Sequence, residues 1–175
     1  MADPHARETA RQMASDRAWI ADLIAVQEGH SPVPLLDDVA IRDLLAARPR
    51  IALVGASVNP GRPAFGVMES LLAIGYDVVP VNPGAELVQG LTCYPTVEAA
   101  VQATGPIQLV DVFRRASACG EAASDAVAAG ATCLWLQLGI ANEAAGQIAH
   151  GAGLGVVMDR CTLIEHHRLL PGRRW

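Results

Sequence analysis

The feature that most constrains this chain is a set of five short apolar segments that recur between residues 50 and 158. Each is rich in Val, Leu, Ile or Ala and is bounded by Gly, Pro or Asn, which is typical of buried strands. Helical patterns separate the segments, and Gly75, Gly130 and Gly153 stand where helices should end. The alternation predicts an α/β fold with a doubly wound, mainly parallel five-stranded sheet and helices on both faces. Strands are predicted near 50–55, 77–81, 107–112, 132–137 and 154–158, and helices over 63–74, 96–103, 117–129, 141–150 and 161–169.

The 175 residues suffice for one domain with a substantial core, and the first third has a different character. Residues 1–49 are predicted to form an N-terminal helical extension packing on the core, residues 50–170 the α/β domain, and residues 171–175 a C-terminal tail. Asp37 is expected to cap a short helix that ends before Arg48. The predicted packing face of the first helix consists of Ala10, Met13, Ala14, Ala18, Ile20, Ala21 and Ile24.

Composition argues against several classes of function. A net charge of -5 and a pI near 5.4 argue against a nucleic-acid partner, which requires a concentrated basic face. The longest weakly polar stretch, residues 126–140, is shorter than the roughly 20 residues of a membrane helix. The four cysteines form no CxxC pair and no signal segment is visible, so we expect reduced thiols, a cytoplasmic protein and no metal site.

The first strand leads into a loop suited to anions. The apolar run Ile51–Val54 stops at Gly55 and gives way to small and turn-forming residues through Pro63. A helix that begins near Arg62 or Pro63 would direct unpaired backbone N–H groups and its positive dipole end at the loop. The segment therefore predicts a phosphate-binding turn between a strand and a helix.

Ligands of doubly wound sheets bind at the carboxyl ends of the strands, so the residues that follow each strand form the candidate site. These residues include two arginines and several backbone donors but no paired acid and base, which favours holding a phosphorylated ligand over proton transfer. The candidates are Gly55, Ala56, Ser57, Asn59, Arg62 and Pro63 after the first strand, Val81, Asn82 and Pro83 after the second, Phe113 and Arg114 after the third, and Gln137 and Gly139 after the fourth.

A dinucleotide is the obvious alternative ligand. Nicotinamide-binding domains normally place an acid at the end of the second strand to bind the ribose, and here Asn82 and Pro83 stand there. The glycine spacing also differs, because the next glycine after Gly55 is Gly61. NAD is therefore the second candidate, and a Walker-type loop is excluded because the chain contains no Lys.

An ordered series of motifs across residues 50–168 resembles the stand-alone CoA-binding domain family, small bacterial proteins similar to the Rossmann-like N-terminal domain of the succinyl-CoA synthetase alpha subunit. The motifs are Val54-Gly-Ala-Ser57 with Arg62-Pro63, Gly75-Tyr76, Pro80-Val-Asn-Pro83, Gly90 and Tyr94, Asp111-Val-Phe-Arg114, Trp135-Leu-Gln-Leu-Gly-Ile140 with Asn142-Glu143, and Val156-Val-Met-Asp-Arg-Cys161.

The resemblance implies coenzyme A or an acyl-CoA as ligand. It implies that the loop from Gly55 to Asn59 lies along the phosphates and that Arg62 reaches the 3′-phosphate or the pyrophosphate. Further implied contacts are Val81, Asn82 and Pro83 beside the nucleotide, Val112, Phe113 and Arg114 at the third strand end, and Gln137 to Gly139 at the fourth. Family members often carry Ser after Arg-Pro, where this chain has Ala64. CoA also fits Asn82 chemically, because an acid there would repel its 3′-phosphate.

Two classes of function follow. The first is a non-catalytic CoA-binding protein acting as an accessory protein or sensor, with no catalytic residue. The second is an enzyme using the same cleft, either an NAD(P)-dependent oxidoreductase or an acyl-CoA enzyme with Cys161 as nucleophile activated by Arg160. His166 and His167 are expected to face solvent or an interface, and a homodimer is a candidate assembly.

Overall fold

The structure, a computed structural model, describes residues 4–175 and contains the predicted parallel sheet. Its five strands are β1 (Ile51–Val54), β2 (Val78–Val81), β5 (Leu109–Val112), β6 (Cys133–Leu136) and β7 (Gly155–Val157). They pair in parallel in the order β2-β1-β5-β6-β7. The chain builds outward from β1 to β2 and then returns past β1 to β5, so the order reverses between β1 and β5. This reversal opens a crevice at the carboxyl edge of the sheet.

Within residues 4–175, seven α-helices surround the sheet: α1 (Pro4–Gln27), α2 (Asp38–Ala46), α3 (Pro63–Ile74), α4 (Val97–Thr104), α5 (Cys119–Ala128), α6 (Glu143–Gly151) and α7 (Thr162–Leu169). Alternate strand residues point to opposite faces and build two cores, one under α2, α3 and α7 and one under α4, α5 and α6. The predicted helices on both faces are thereby confirmed. Among the helices of residues 4–175, none combines the length and apolar character of a membrane span.

A small hairpin interrupts the connection from β2 to α4 and was not predicted. It consists of β3 (Leu87–Val88) and β4 (Leu91–Thr92), joined by Gln89 and Gly90, both with positive φ. After the hairpin, Tyr94 pairs with Val81 and its carbonyl accepts the N–H of Asn82 at 2.8 Å. The hairpin therefore fixes the turn that follows β2, which borders the crevice.

The packing face of α1 differs from the predicted one. Trp19, Leu23 and Val26 turn toward the domain, and Trp19 Nε1 donates to the carbonyl of Gly139 at 3.0 Å. In contrast, the side chains on the predicted face remain exposed, among them Met13, Ile20 and Ile24. The prediction was wrong because it followed the helical spacing of the alanines and isoleucines, whereas Trp19, Leu23 and Val26 form the face that packs on the domain. Residues 1–3 of the predicted extension lie outside the described residues, and the homodimer stays a prediction.

The C-terminal tail packs against the domain. The N–H of Trp175 donates to the carbonyl of Ile74 at 2.8 Å, and its ring makes edge contacts with Tyr76 and His166. His166 is buried, and its Nδ1 lies 2.9 Å from the Tyr76 hydroxyl oxygen, within hydrogen-bond distance. Burial lowers the pKa of His166. The expectation that His166 faces solvent or an interface was wrong, because Tyr76 and the tail enclose it.

Replacing Trp175 with Ala should lower the free energy of unfolding by about 2 kcal/mol, because the ring contacts with Tyr76 and His166 are lost. The indole N–H is buried without a partner within residues 4–175, so Trp175→Phe should cost less than half as much. Urea denaturation of both variants measures the difference. Equal losses would contradict ring packing as the source of the stability.

Candidate functional site

A cavity of about 500 Å³ opens where the strand order reverses, at the carboxyl ends of β1 and β5. It brings together most of the predicted site residues from four separate strand ends. Its lining consists of Gly55, Ala56, Ser57, Arg62, Pro63, Ala64, Val67, Asn82, Phe113, Arg114, Gln137, Leu138, Ile140, Cys161 and Ile164. A volume of this size is in the range of cavities that hold small molecules and cofactors.

Gly55 allows β1 and the segment after β5 to approach closely. Its φ is +91°, and a Cβ built there would lie 2.8 Å from the carbonyl oxygen of Phe113 and 3.1 Å from Cδ of Arg114. A side chain would therefore push Phe113 and Arg114 away from the loop. The local backbone geometry therefore requires a glycine at position 55, where the sequence analysis predicted the start of a phosphate-binding turn.

Side-chain hydrogen bonds shape the loop between β1 and α3. Ser57 Oγ accepts the N–H of Asn59 at 3.1 Å, and Asn59 Oδ1 accepts the N–H of Gly61 at 2.8 Å. The helix then begins at Pro63, preceded by Arg62, whose side chain makes no capping hydrogen bond. Pro63 has no N–H, and the N–H of Phe65 donates to the carbonyl of Arg62 at 3.0 Å. Within residues 4–175, the N–H of Ala64 is therefore the one in the first helical residues, Pro63 to Phe65, that has no partner, and Ala64 lines the cavity.

Asn82 joins the loops that follow β1 and β2. Its Nδ2 donates to the carbonyl of Ala56 at 2.7 Å, and its Oδ1 accepts the N–H of Gly84 at 2.8 Å. The amide needs both a donor and an acceptor to make these bonds, and a carboxylate would supply only acceptors. Asn82, which stands where nicotinamide-binding domains normally have an acid, therefore also connects the loops that follow β1 and β2.

The charged side chains that line the main cavity are both arginines. Arg62 and Arg114 line it, and neither guanidinium makes a hydrogen bond or an ion pair with a residue of the described range 4–175. The ion-paired arginines lie elsewhere, at Arg42, Arg50, Arg160 and Arg168. Among the lining residues that the structure describes there is no Asp, Glu or His. A protein of net charge -5 thus presents two unpaired cations and no anion at this cavity.

The inner end of the cavity lies over a buried polar cluster that the sequence analysis did not identify. Asp111 on β5 is fully buried, and it receives hydrogen bonds from Gln137 Nε2 at 2.8 Å and from Thr162 Oγ1 at 2.8 Å. Its sheet neighbours are Leu53 and Trp135, so burial raises the pKa of the Asp111 carboxyl to about 7. A lone acid within an apolar strand was the sequence signal for this cluster.

Cys161 lines the cavity and precedes α7. The neighbouring Arg160, expected to favour a thiolate, is instead paired with Asp38 at 3.0 Å and Glu165 at 3.2 Å. Two carboxylates therefore offset the positive charge that was to activate the thiol. Of the other cysteines, Cys119 is buried in the core, and burial raises its pKa to about 12.

Five of the predicted contact residues lie outside the main cavity. Val112 is buried in the core, and the Asn59 side chain closes its own loop. Val81 and Pro83 line a smaller cavity on the other side of Arg114. Gly139 lines a cavity of about 330 Å³ against α1, which shares Phe113, Arg114 and Ile140 with the main cavity. The lining residues missed by sequence reasoning lie on helices or beyond the expected turns: Val67, Ile140 and Ile164.

Comparison with known proteins identifies the family. The CoA binding domain family matches residues 49–167 of this chain. The chain is a member of this family. This CoA-binding domain is 33% identical over 126 residues to the uncharacterized protein YneT of Bacillus subtilis. The aligned residues make up 72% of this chain and 91% of YneT.

Two further relatives place the domain among stand-alone and multidomain proteins. A hypothetical protein from Pyrococcus horikoshii OT3 is 43% identical with a TM-score of 0.73, over 77% of this chain and 93% of that one. An ADP-forming acetate–CoA ligase of Archaeoglobus fulgidus is 36% identical over 59 residues, which are 33% of this chain and 9% of the ligase. The family supports the expected ligand class.

Proposed function

We propose that this CoA-binding domain holds coenzyme A or an acyl-CoA in the main cavity and acts as a non-catalytic accessory or sensor protein. The observation that carries the proposal is the pair of unpaired arginines, Arg62 and Arg114, beside a cavity whose described lining has no acidic side chain. CoA carries a pyrophosphate and a 3′-phosphate, and each benefits from guanidinium groups and free helix N–H groups.

The two ends of the cavity suit the two halves of CoA. The loop from Gly55 to Pro63, the first turn of α3 and Arg62 supply donors at one end, which fits the phosphates. The other end is bordered by Ile140, Cys161 and Ile164 and suits the less polar pantetheine arm. We place the nucleotide beside Asn82 and direct the pantetheine arm past Phe113 toward Gln137.

The non-catalytic role is supported by the groups that the cavity presents. Its described lining has no imidazole or carboxylate to move a proton, and Asp111 lies beneath it with no exposure. The paired state of Arg160 also removes support for Cys161 as a nucleophile. All four cysteines are buried and free, which supports a cytoplasmic location as part of this proposal.

Calorimetric titration with CoA, acetyl-CoA, NAD and NADP tests the ligand. CoA should bind, and Arg62→Ala and Arg114→Ala should each weaken its binding about tenfold, because each removes a charge-assisted contact with a phosphate. Arg42→Ala is the matched control, since Arg42 pairs with Asp43 and does not line the cavity. Tight binding of NAD without a CoA signal would refute the proposed ligand.

Intact mass spectrometry tests the non-catalytic part of the proposal. The protein is mixed with acetyl-CoA, and its mass is compared with that of Cys161→Ser treated in the same way. We expect no acetyl adduct on either protein. An adduct on the wild type that is missing from Cys161→Ser would contradict the non-catalytic role.

A further inference from the structure

The buried cluster below the cavity leaves one polar atom without a partner. Gln137 is 4% exposed, and its Nε2 donates to both oxygens of Asp111, at 2.8 and 3.0 Å, and to Thr162 Oγ1 at 2.8 Å. Its Oε1 accepts no hydrogen bond within the described residues and is not sealed from solvent. Because Gln137 lines the main cavity, this oxygen is an open acceptor at the inner end of the cavity.

The cluster determines which end of the amide faces the cavity. Thr162 Oγ1 donates its hydrogen to Asp111 Oδ2 at 2.8 Å and so accepts from Gln137 Nε2. The Thr162 hydroxyl has one hydrogen and uses it on Asp111, so only the nitrogen of Gln137 can face it. Turning the amide over would place Oε1 against Thr162 Oγ1, which has no second hydrogen to donate. Asp111 and Thr162 therefore act as positioning residues that direct Oε1 outward.

An unpaired acceptor in a nearly buried position selects a ligand that brings a donor. Gln137 lies at the end of β6, on the side of the cavity with Ile140, Cys161 and Ile164, whereas the phosphate loop after β1 supplies the other side. The pantetheine arm of CoA contains secondary amide N–H groups, and its nucleotide half is the part suited to the phosphate loop. The acceptor therefore matches the arm.

We infer that Gln137 Oε1 accepts a hydrogen bond from an amide N–H of the pantetheine arm, held in that orientation by Asp111 and Thr162. The inference rests on the proposed function, since it assigns one contact within the CoA site. Gln137 is then a specificity-determining residue: it distinguishes CoA from nucleotides that fill only the phosphate end. A ligand that brings a carbonyl to the same place would meet an acceptor and bind less tightly.

The test compares CoA with adenosine 3′,5′-bisphosphate, which has the 3′-phosphate and the nucleoside but no pantetheine. Wild-type protein should bind CoA more tightly. Gln137→Met should weaken CoA binding about tenfold and leave bisphosphate binding unchanged, because a pantetheine N–H loses its acceptor. Titration calorimetry of both probes gives the ratio of their dissociation constants, which a general loss of folding would not change selectively.

Thr162 provides the second pair of variants. Thr162→Val removes the hydroxyl that holds the amide and should reduce the preference for CoA severalfold, whereas Thr162→Ser retains the hydroxyl and should preserve the preference. Failure of the wild type to bind CoA would refute the proposed function itself. CoA binding with no preference over the bisphosphate, or an unchanged ratio in Gln137→Met and Thr162→Val, would overturn only the pantetheine contact.

Discussion

Gly55→Ala should lower the free energy of unfolding by about 2–4 kcal/mol and weaken CoA binding at least tenfold. The new Cβ would lie 2.8 Å from the Phe113 carbonyl oxygen, and the backbone φ of +91° is unfavourable for any L side chain. Relief of the contact moves Phe113 and Arg114, which line the cavity, away from the loop. Urea denaturation measures the first effect, and CoA titration of the folded variant measures the second.

Gly130→Ala is the matched control for this prediction. Gly130 also has a positive φ, +67°, but a Cβ there would meet nothing within 4 Å. The substitution should cost only the backbone strain, about 1 kcal/mol, and leave CoA binding unchanged. Equal losses in the free energy of unfolding for the two variants would show that the close approach of Gly55 to Phe113 is not the reason that a glycine is required there.

Asp111→Asn should flatten the pH dependence of stability. The pKa of Asp111 is about 7 in the folded protein, above the value of 3.8 expected without burial, so the native state holds a proton that the unfolded chain releases. The resulting stabilisation is fully present below about pH 4 and is lost as the pH rises through about 7. From pH 4 to pH 8, the free energy of unfolding of Asp111→Asn minus that of the wild type should rise by about 2–4 kcal/mol, because only the wild type loses the stabilisation from the buried proton.

Chemical denaturation at pH 4.5, 6 and 8 measures this difference for Asp111→Asn and for Asp43→Asn. Asp43 is an exposed carboxyl on α2 paired with Arg42, so its removal should leave the slope between pH 4.5 and pH 8 close to that of wild type. Profiles of wild type and Asp111→Asn that run parallel would show that the buried carboxyl does not take up a proton in this range.

The parallel sheet could be predicted because its signals are local. Each strand is a short apolar run, and Gly75, Gly130 and Gly153 have the positive φ expected where helices end. Elements with weaker local signals were missed. The hairpin of β3 and β4 has only two residues in each strand, and the tail around Trp175 is held by contacts with Tyr76 and His166, which are distant in sequence.

The lining that follows β1 could be predicted from the sequence, and much of the lining farther along the chain could not. Residues after β1 and β2 follow directly from the rule that ligands bind at carboxyl edges of parallel strands. Val67 and Ile164 line the cavity from helices, and a sequence does not reveal which turn of a helix faces a cleft. The role of Asp111 depends on Gln137 and Thr162, each more than 20 residues away in the chain.

The position of α1 divides the walls of the candidate site between two parts of the chain. Residues 49–167 match the family and contain every residue that lines the main cavity, including the loop after β1 and Gln137. The adjoining cavity also uses Gln12, Ser15, Asp16 and Trp19 of α1, which lies outside the matched region. Substitutions in α1 can therefore reshape the neighbourhood of Phe113 and Ile140 without changing a residue that lines the main cavity.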